Sequence, residues 1–257
     1  MNKGKRDHVI HYLNNNIRYD GRKKEEYREI SVETGVIRTA EGSARVKFGE
    51  TEVIAGVKFE VGKPYPDSPD AGTMMVNAEL IPMSSPDFES GPPGIVAIEL
   101  ARVVDRGIRE SGAIDFKKLC IKHGELVWTI IVDIVPVNAF GNLFDVASLA
   151  VMSAIKNAKF PELDGEKIDY KKLTKNSIPM EEEPISVTVL KIGDHLIVDP
   201  IPDEEKVLDA RLTVATLKDE TIVAMQKGGE LSLSTEDIKS MIEISIKKAK
   251  EIRKFLK

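Results

Sequence analysis

The chain has 257 residues, of which 42% are hydrophobic and 31% are charged, and its formal net charge at pH 7 is -5. This composition is typical of a globular protein with a sizeable core, and it argues against a surface coated in positive charge for nucleic acid. The single cysteine, Cys120, excludes an internal disulfide and any Cys-x-x-Cys metal site.

The N-terminal stretch lacks the apolar core of a signal peptide, and no run of about 18 apolar residues is present to span a membrane. We therefore expect a cytoplasmic protein that makes no membrane contact. Residues 7–16 predict a short helix, which leads into a turn centred on Gly21. His8 and His11 are spaced so that they could share a metal ion, but no third ligand is near, and we expect no metal there.

Alternating apolar residues predict a strand over residues 30–37 and a hairpin made of residues 43–48 and 53–61. Residues 62–94 differ, because they hold seven of the 13 prolines and mostly acidic charges around one predicted strand, residues 74–81. This acidic segment is either a pair of solvated loops or a contact surface for another protein.

The stretch 97–115 predicts an amphipathic helix with three arginines on one face. Arg102, Arg106 and Arg109 occur at i, i+4 and i+7, so they span only about 60° of the helix circumference. One interpretation is a solvated face with i,i+4 ion pairs, and the other is a row of guanidiniums that binds consecutive phosphates. The pattern alone favours the solvated face.

The apolar run 126–137 predicts a strand buried on both faces, with helices on both sides of its sheet. Residues 143–158 predict a buried helix of small side chains, and the polar residues 161–183 predict a linker. A last helix is expected to begin at Ser234, after strands at residues 185–192, 195–198, 210–217 and 221–226. The expected fold class is therefore α+β, with two similar strand-helix halves.

Few of the motifs that signal chemistry occur in the chain. It has neither a glycine-rich nucleotide-binding motif nor a nucleophile elbow. Cys120 has no basic residues arranged around it in sequence, so we expect a buried small residue rather than a nucleophile. The acidic run 181–183 could hold a divalent cation, but such runs are more often solvated. We therefore expect no catalytic residue, metal or cofactor, and the arginine row is the strongest candidate functional feature.

Several motifs occur in order along almost the whole chain, and they are Tyr19-Asp20-Gly21-Arg22, Gly42-Ser43-Ala44, Gly91-Pro92-Pro93, ELARVVDR at residues 99–106, and Val198-Asp199-Pro200. Together they resemble the RNase PH family, and within it the non-catalytic RNase PH-type subunit of the archaeal exosome, the larger of the two ring subunits. The resemblance implies an RNase PH-like fold, also described as ribosomal protein S5 domain 2-like.

The resemblance also implies an activity and its partners. The activity is phosphorolysis, in which inorganic phosphate attacks the last linkage at the 3′ end of an RNA. The implied partners are single-stranded RNA, a catalytic RNase PH-type subunit in a hexameric ring of three heterodimers, and S1-domain cap proteins.

Two family positions indicate which type of subunit this is. Active members hold the attacking phosphate with a Gly-Gly-Ser/Thr-Arg segment, and the matching segment here has Leu143 at the arginine position and Asp145 nearby. Active members also carry two aspartates six residues apart, and counting back from Pro184 places Asn176 and Glu182 there. The resemblance therefore implies a subunit without catalytic residues.

In family members of this type, the arginines that match Arg102 and Arg106 contact the RNA backbone at a subunit interface, whereas Arg109 is undecided. We therefore predict a non-catalytic ring subunit that binds RNA and helps to structure its partner's active site. The alternatives are an active phosphorolytic exoribonuclease and a purely structural RNA-binding ring subunit. The predicted division is an N-terminal helix and turn, a first half, a linker and a second half, at residues 1–24, 25–160, 161–183 and 184–257.

Overall fold

The computed structural model describes residues 3–256, so the predicted ranges 1–24 and 184–257 each extend slightly beyond the described residues. Within residues 3–256 there are five α-helices, namely α1 (Lys3–Asn14), α2 (Ile95–Arg109), α3 (Leu143–Asn157), α4 (Pro202–Glu205) and α5 (Thr235–Ile252). None of them is long and apolar enough to cross a membrane.

The strands alternate with these helices along the chain. In the first part they are β1 (Ile30–Thr34), β2 (Gly42–Phe48), β3 (Thr51–Gly62), β4 (Thr73–Ala78), β5 (Cys120–Lys122) and β6 (Leu126–Asn138). After α3 they are β7 (Lys159–Asp164), β8 (Lys167–Ser177), β9 (Ile185–Ile192), β10 (His195–Val198), β11 (Ala210–Thr216) and β12 (Ile222–Gly228).

The first sheet has the strand order β1-β2-β3-β6-β4, and β5 also pairs with β6. Strand β4 runs parallel to β6, and the other pairs are antiparallel. Strand β3 alternates as predicted, with Val53, Ala55, Val57 and Phe59 fully buried. Helix α3 packs on β2 and β3, and α2 packs on β4, so both helices lie on the face that these side chains share.

The prediction that β6 is buried on both faces was wrong. Ile130, Val132 and Ile134 are fully buried, but the intervening residues Ile131 and Val135 are only half-buried. The reason is that α2 and α3 cover the same face, which leaves the opposite face of the sheet without a helix from residues 3–256. An apolar run on a central strand therefore does not require two helical layers.

The second sheet is antiparallel and has the order β10-β9-β11-β12. Helix α5 packs on β9 and β11, while α1 packs its Val9 and Leu13 against Leu190 and Ile197. One hydrophobic core includes residues from both sheets together with α2, α3 and α5. The two halves are therefore packed on each other through a shared core.

Most of the range predicted as a linker forms a β-hairpin from strands β7 and β8. Its turn contains Gly165 at φ +62°, a conformation that suits glycine. Strand β8 is exposed along most of its length, so it lacks the apolar alternation by which strands are predicted.

Candidate functional site

Helix α2 presents two arginines that no other described side chain engages. Its apolar face, which includes Leu100, Val104 and Ile108, is buried in the core. Arg102 and Arg106 lie on the exposed side, and neither guanidinium has a hydrogen bond or an ion pair within residues 3–256. They are one helical turn apart, about 6 Å along the axis. Two free guanidiniums at this spacing can bind a polyanion.

These arginines border a groove between α2 and the second sheet. The groove has a volume of about 450 Å³, and the strands contribute Ser186, Thr213 and Gln226 to its lining. Apolar side chains at its edge are exposed, among them Ile95 at 85% and Ile98 at 50%. The surface therefore combines positive charge with uncovered apolar area, which is typical of a macromolecular contact.

Arg109, the third arginine of the predicted row, is already engaged. Its Nη2 and Nε donate to the Asp105 carboxylate at 2.8 and 3.1 Å, and Nη2 also donates to the Met74 carbonyl at 2.9 Å. Its guanidinium lies 5.5 Å from the ring centre of Phe116. The hydrogen bonds that Arg109 donates to Asp105 raise the pKa of Arg109. Arg109 thus follows the ion-paired interpretation, whereas Arg102 and Arg106 do not.

A second ion pair anchors the first turns of α2 to the second sheet. The Arg211 guanidinium, on β11, donates to the Glu99 carboxylate at 2.6 Å. Arg211 also lies 4.6 Å from the ring centre of Phe144 at the start of α3. This contact fixes α2, α3 and β11 at one point.

The N-terminus of α3 is the position at which Leu143 replaces the family arginine. Leu143 is half-buried and packs against the core. Asn142, which precedes it, has φ +57°, and its backbone N–H donates to the Glu205 carboxylate at 2.9 Å. Burial raises the pKa of Glu205. The helix N-terminus, which favours an anion, is therefore occupied by a carboxylate of the chain itself.

Asp145 adds a second carboxyl group at this helix end. It is buried, and its Oδ2 accepts hydrogen bonds from the Tyr27 hydroxyl at 2.9 Å and the Asn142 amide at 3.2 Å. Burial raises the pKa of Asp145 to about 7, although the hydrogen bonds from Tyr27 and Asn142 oppose the rise. Near neutral pH this carboxyl group is therefore divided between its neutral and charged forms.

A third carboxyl group, Asp199, joins this cluster from the loop after β10. Arg28 donates to it at 2.6 Å, Arg22 at 2.8 Å and the Asn142 amide at 3.0 Å. Burial raises the pKa of Asp199, but the hydrogen bonds and charges of Arg28 and Arg22 outweigh that effect and lower it. Both arginines nearest this site are therefore already paired with a carboxylate.

The sequence did not predict that Glu205, Asp199 and Arg211 contribute to this region. Each of them binds a residue that is more than 50 positions away in the chain. The only signal was that Arg22 and Asp199 belong to the family motifs at residues 19–22 and 198–200. Those motifs hold the N-terminal segment on the second half, where the buried Arg18 also pairs with Glu204 at 2.5 Å.

The remaining candidate residues do not converge on a site. Asn176 lies on the exposed part of β8, and Glu182 is exposed just before β9. The neighbours of Glu182 point to different partners, since Glu181 pairs with Lys118 and Glu183 pairs with Lys156.

No cluster of three or more potential metal ligands is found in residues 3–256. His8 and His11 instead contact tyrosine rings, with centroids 5.1 Å apart for His8 and Tyr12. Cys120 is half-buried rather than buried as expected, because β5 lies at the margin of the first sheet.

Known proteins resemble this chain over nearly its whole length. Residues 26–161 match domain 1 of the 3′ exoribonuclease family, and residues 182–248 match its domain 2. The exosome complex component Rrp42 of Methanocella arvoryzae is 47% identical over 255 residues, which cover 98% of this chain and 95% of the relative. The component of the same name from Archaeoglobus fulgidus is 46% identical over 253 residues, which cover 98% and 96%.

A solved structure also matches this chain over nearly its whole length. A chain of the Archaeoglobus fulgidus exosome with RNA bound to the active site matches with a TM-score of 0.91 and 45% sequence identity, and the match covers 98% of both chains.

Proposed function

Because the chain belongs to the RNase PH family of 3′ exoribonucleases, as its motifs predicted, we propose that it is a non-catalytic exosome ring subunit. In this role it binds single-stranded RNA and helps to structure the active site of a catalytic RNase PH-type partner. The partner supplies the phosphorolytic chemistry, and the two alternate in a ring of three heterodimers that S1-domain proteins cap. The proposal includes a cytoplasmic location and the division into residues 1–24, 25–160, 161–183 and 184–257.

The arrangement at the start of α3 supports a non-catalytic role. An attacking phosphate needs a free helix N-terminus and a nearby cation. Here Glu205 accepts the Asn142 N–H, Leu143 brings no positive charge, and Arg28 is neutralised by Asp199. A phosphate dianion would therefore meet the Glu205 carboxylate and no free guanidinium at this position. These contacts argue against the alternative of an independently active phosphorylase.

The unpaired state of Arg102 and Arg106 is the single observation that supports RNA binding most directly. Arginine forms bidentate hydrogen bonds with phosphate oxygens, and two such residues one turn apart can hold the RNA backbone without reading its sequence. The net charge of -5 fits this proposal, because the positive charge needed for RNA is local. Exposed apolar residues beside these arginines fit a neighbouring subunit close to the RNA.

We expect the double variant R102A/R106A to weaken RNA binding by the reconstituted ring and to slow degradation. Affinity falls as salt rises, and the magnitude of the slope of log affinity against log salt should decrease by roughly 0.7 for each RNA phosphate that the variant no longer binds, because fewer counterions are released. Fluorescence anisotropy with a labelled 20-nucleotide oligoadenylate at several salt concentrations measures both quantities. R38A, which removes an exposed arginine outside α2, is the matched control.

Ring assembly of R102A/R106A is checked by size-exclusion chromatography and should be retained. Loss of the ring would show that the two arginines are needed for assembly. An intact ring with an unchanged salt slope would show that they do not contact phosphates.

A further inference from the structure

The free state of Arg102 is unexpected for its own helix. Glu99 lies three residues before it and Asp105 three residues after it, and both are on α2. Helix neighbours at i,i+3 are close enough to form ion pairs, so Arg102 is flanked by two potential carboxylate partners. Neither pair forms in the structure.

Each of these carboxylates is held by a different arginine. Asp105 is bound by two donors of Arg109, at 2.8 and 3.1 Å. Arg109 is in turn fixed by the Met74 carbonyl, at 2.9 Å. Glu99 is bound by Arg211 at 2.6 Å, and both of these side chains are largely buried.

The position of Arg211 is tightly restricted. The Phe144 ring lies on one side of its guanidinium, at 4.6 Å. Gly228 lies against it as well, since a β-carbon at that position would be 2.5 Å from Cζ of Arg211. The ion pair with Glu99 is thus built into the packing of β11 and β12 and is not a mobile surface contact.

We propose that Arg109 and Arg211 are positioning residues, which keep Arg102 available for RNA by holding Asp105 and Glu99 away from it. This inference rests on the proposed function of Arg102. If either positioning arginine is removed, the released carboxylate pairs with Arg102 or stays near it as an uncompensated negative charge. Both effects oppose the binding of an RNA phosphate at Arg102.

The test is a set of combined variants in the ring reconstituted with the catalytic partner, with the same labelled oligoadenylate as probe. We expect R109M to weaken RNA binding about threefold, because an ion pair between helix neighbours and one extra carboxylate each oppose binding modestly. R109M should have no further effect when Arg102 is already replaced, in R102A/R109M. R109M/D105N should bind RNA with nearly the wild-type affinity.

Three results would contradict either the inference or the proposed function on which it rests. If R109M weakens binding equally in the presence and absence of Arg102, Arg109 acts on RNA directly or through long-range charge, and the inference is wrong. If D105N does not restore binding in R109M, the role of Arg109 is structural and the inference is also wrong. If R102A alone has no effect, the proposed function itself fails.

R109M also removes the hydrogen bond that Arg109 donates to the Met74 carbonyl, so this variant could fail to fold. A second pair of variants tests the inference independently of Arg109. R211M should weaken RNA binding in the same way, and R211M/E99Q should restore it. Melting temperature and ring assembly are measured for every variant. Unrestored binding in a folded R211M/E99Q ring would overturn the inference for this pair.

Discussion

Glu205 lies at a helix N-terminus where an anion would otherwise bind. Its carboxylate accepts the Asn142 N–H at the start of α3, where the helix dipole and free N–H groups favour an anion. With Leu143 beside it, the same backbone geometry that could hold phosphate holds a part of the protein. The proposed non-catalytic role therefore rests on an added carboxylate as well as on a missing arginine.

Asp145 makes a prediction about pH dependence. Its folded-state pKa of about 7 lies above the ordinary value of 3.8, so between these two pH values the folded protein holds one more proton than the unfolded chain. The free energy of unfolding should therefore fall as pH rises from about 4 to about 7, by a few kcal/mol at most, since one pKa unit corresponds to about 1.36 kcal/mol.

The variant D145N has no proton to lose, so its stability should decline less over this interval. Urea unfolding of both proteins at pH 5 and pH 8 measures the difference, because all other titrating groups are shared. Equal declines in the two proteins would show that Asp145 does not have a raised pKa.

At the scale of elements, the start of α5 is set by a reciprocal cap. The Ser234 hydroxyl accepts the Asp237 N–H at 3.1 Å, and the Asp237 carboxylate accepts the Ser234 N–H at 3.0 Å. S234A should lower the free energy of unfolding by about 1 kcal/mol, because one helix N–H is left without its partner.

Chemical denaturation measures this decrease for S234A. S232A is the matched control, since Ser232 is an exposed serine two residues earlier and outside the helix. An equal effect of the two substitutions would indicate that the cap does not stabilise α5.

Elements with regular apolar spacing were predictable from the sequence, and those without it were not. Helix α2, strand β3 and helix α5 appear near their predicted positions because each buries one face. The hairpin of β7 and β8 was missed because its longer strand, β8, is mostly exposed and carries no such spacing. The half-exposed face of β6 depends on where α2 and α3 pack, and local sequence does not contain that information.

The candidate site was only partly predictable for the same reason. The position of Arg102 and Arg106 on one exposed helix face follows from their spacing. We propose that the freedom of Arg102 from ion pairs depends in part on Arg211, which is more than 100 residues away in the chain. Local sequence therefore locates the arginines but cannot say which of them is unpaired.

At the scale of the whole molecule, the family motifs join distant parts of the chain. Arg22, in the N-terminal turn, and Arg28 bind Asp199 of the second half, and Asn142 at the start of α3 binds the same carboxylate. Breaking a buried ion pair by removing one partner is strongly destabilising. These contacts with Asp199 therefore hold the two halves together beside the start of α3.

The surface of the molecule fits a subunit that functions only with a partner. The arginines that we assign to RNA lie beside exposed apolar residues, and the Asn142 N–H at the start of α3 already donates to Glu205. These observations support the proposal that the chain contributes an RNA-binding surface and that its partner supplies the chemistry. Its function should become visible only in the assembled ring.

Phosphate-dependent release of nucleoside diphosphate from a short RNA with a single-stranded 3′ end is the most direct test of this account. The assay compares this chain alone, its catalytic RNase PH-type partner alone, and the two mixed. We predict no release by this chain alone and faster release by the mixture than by the partner alone. Release by the pure chain, or a mixture no faster than the partner, would contradict the proposed role.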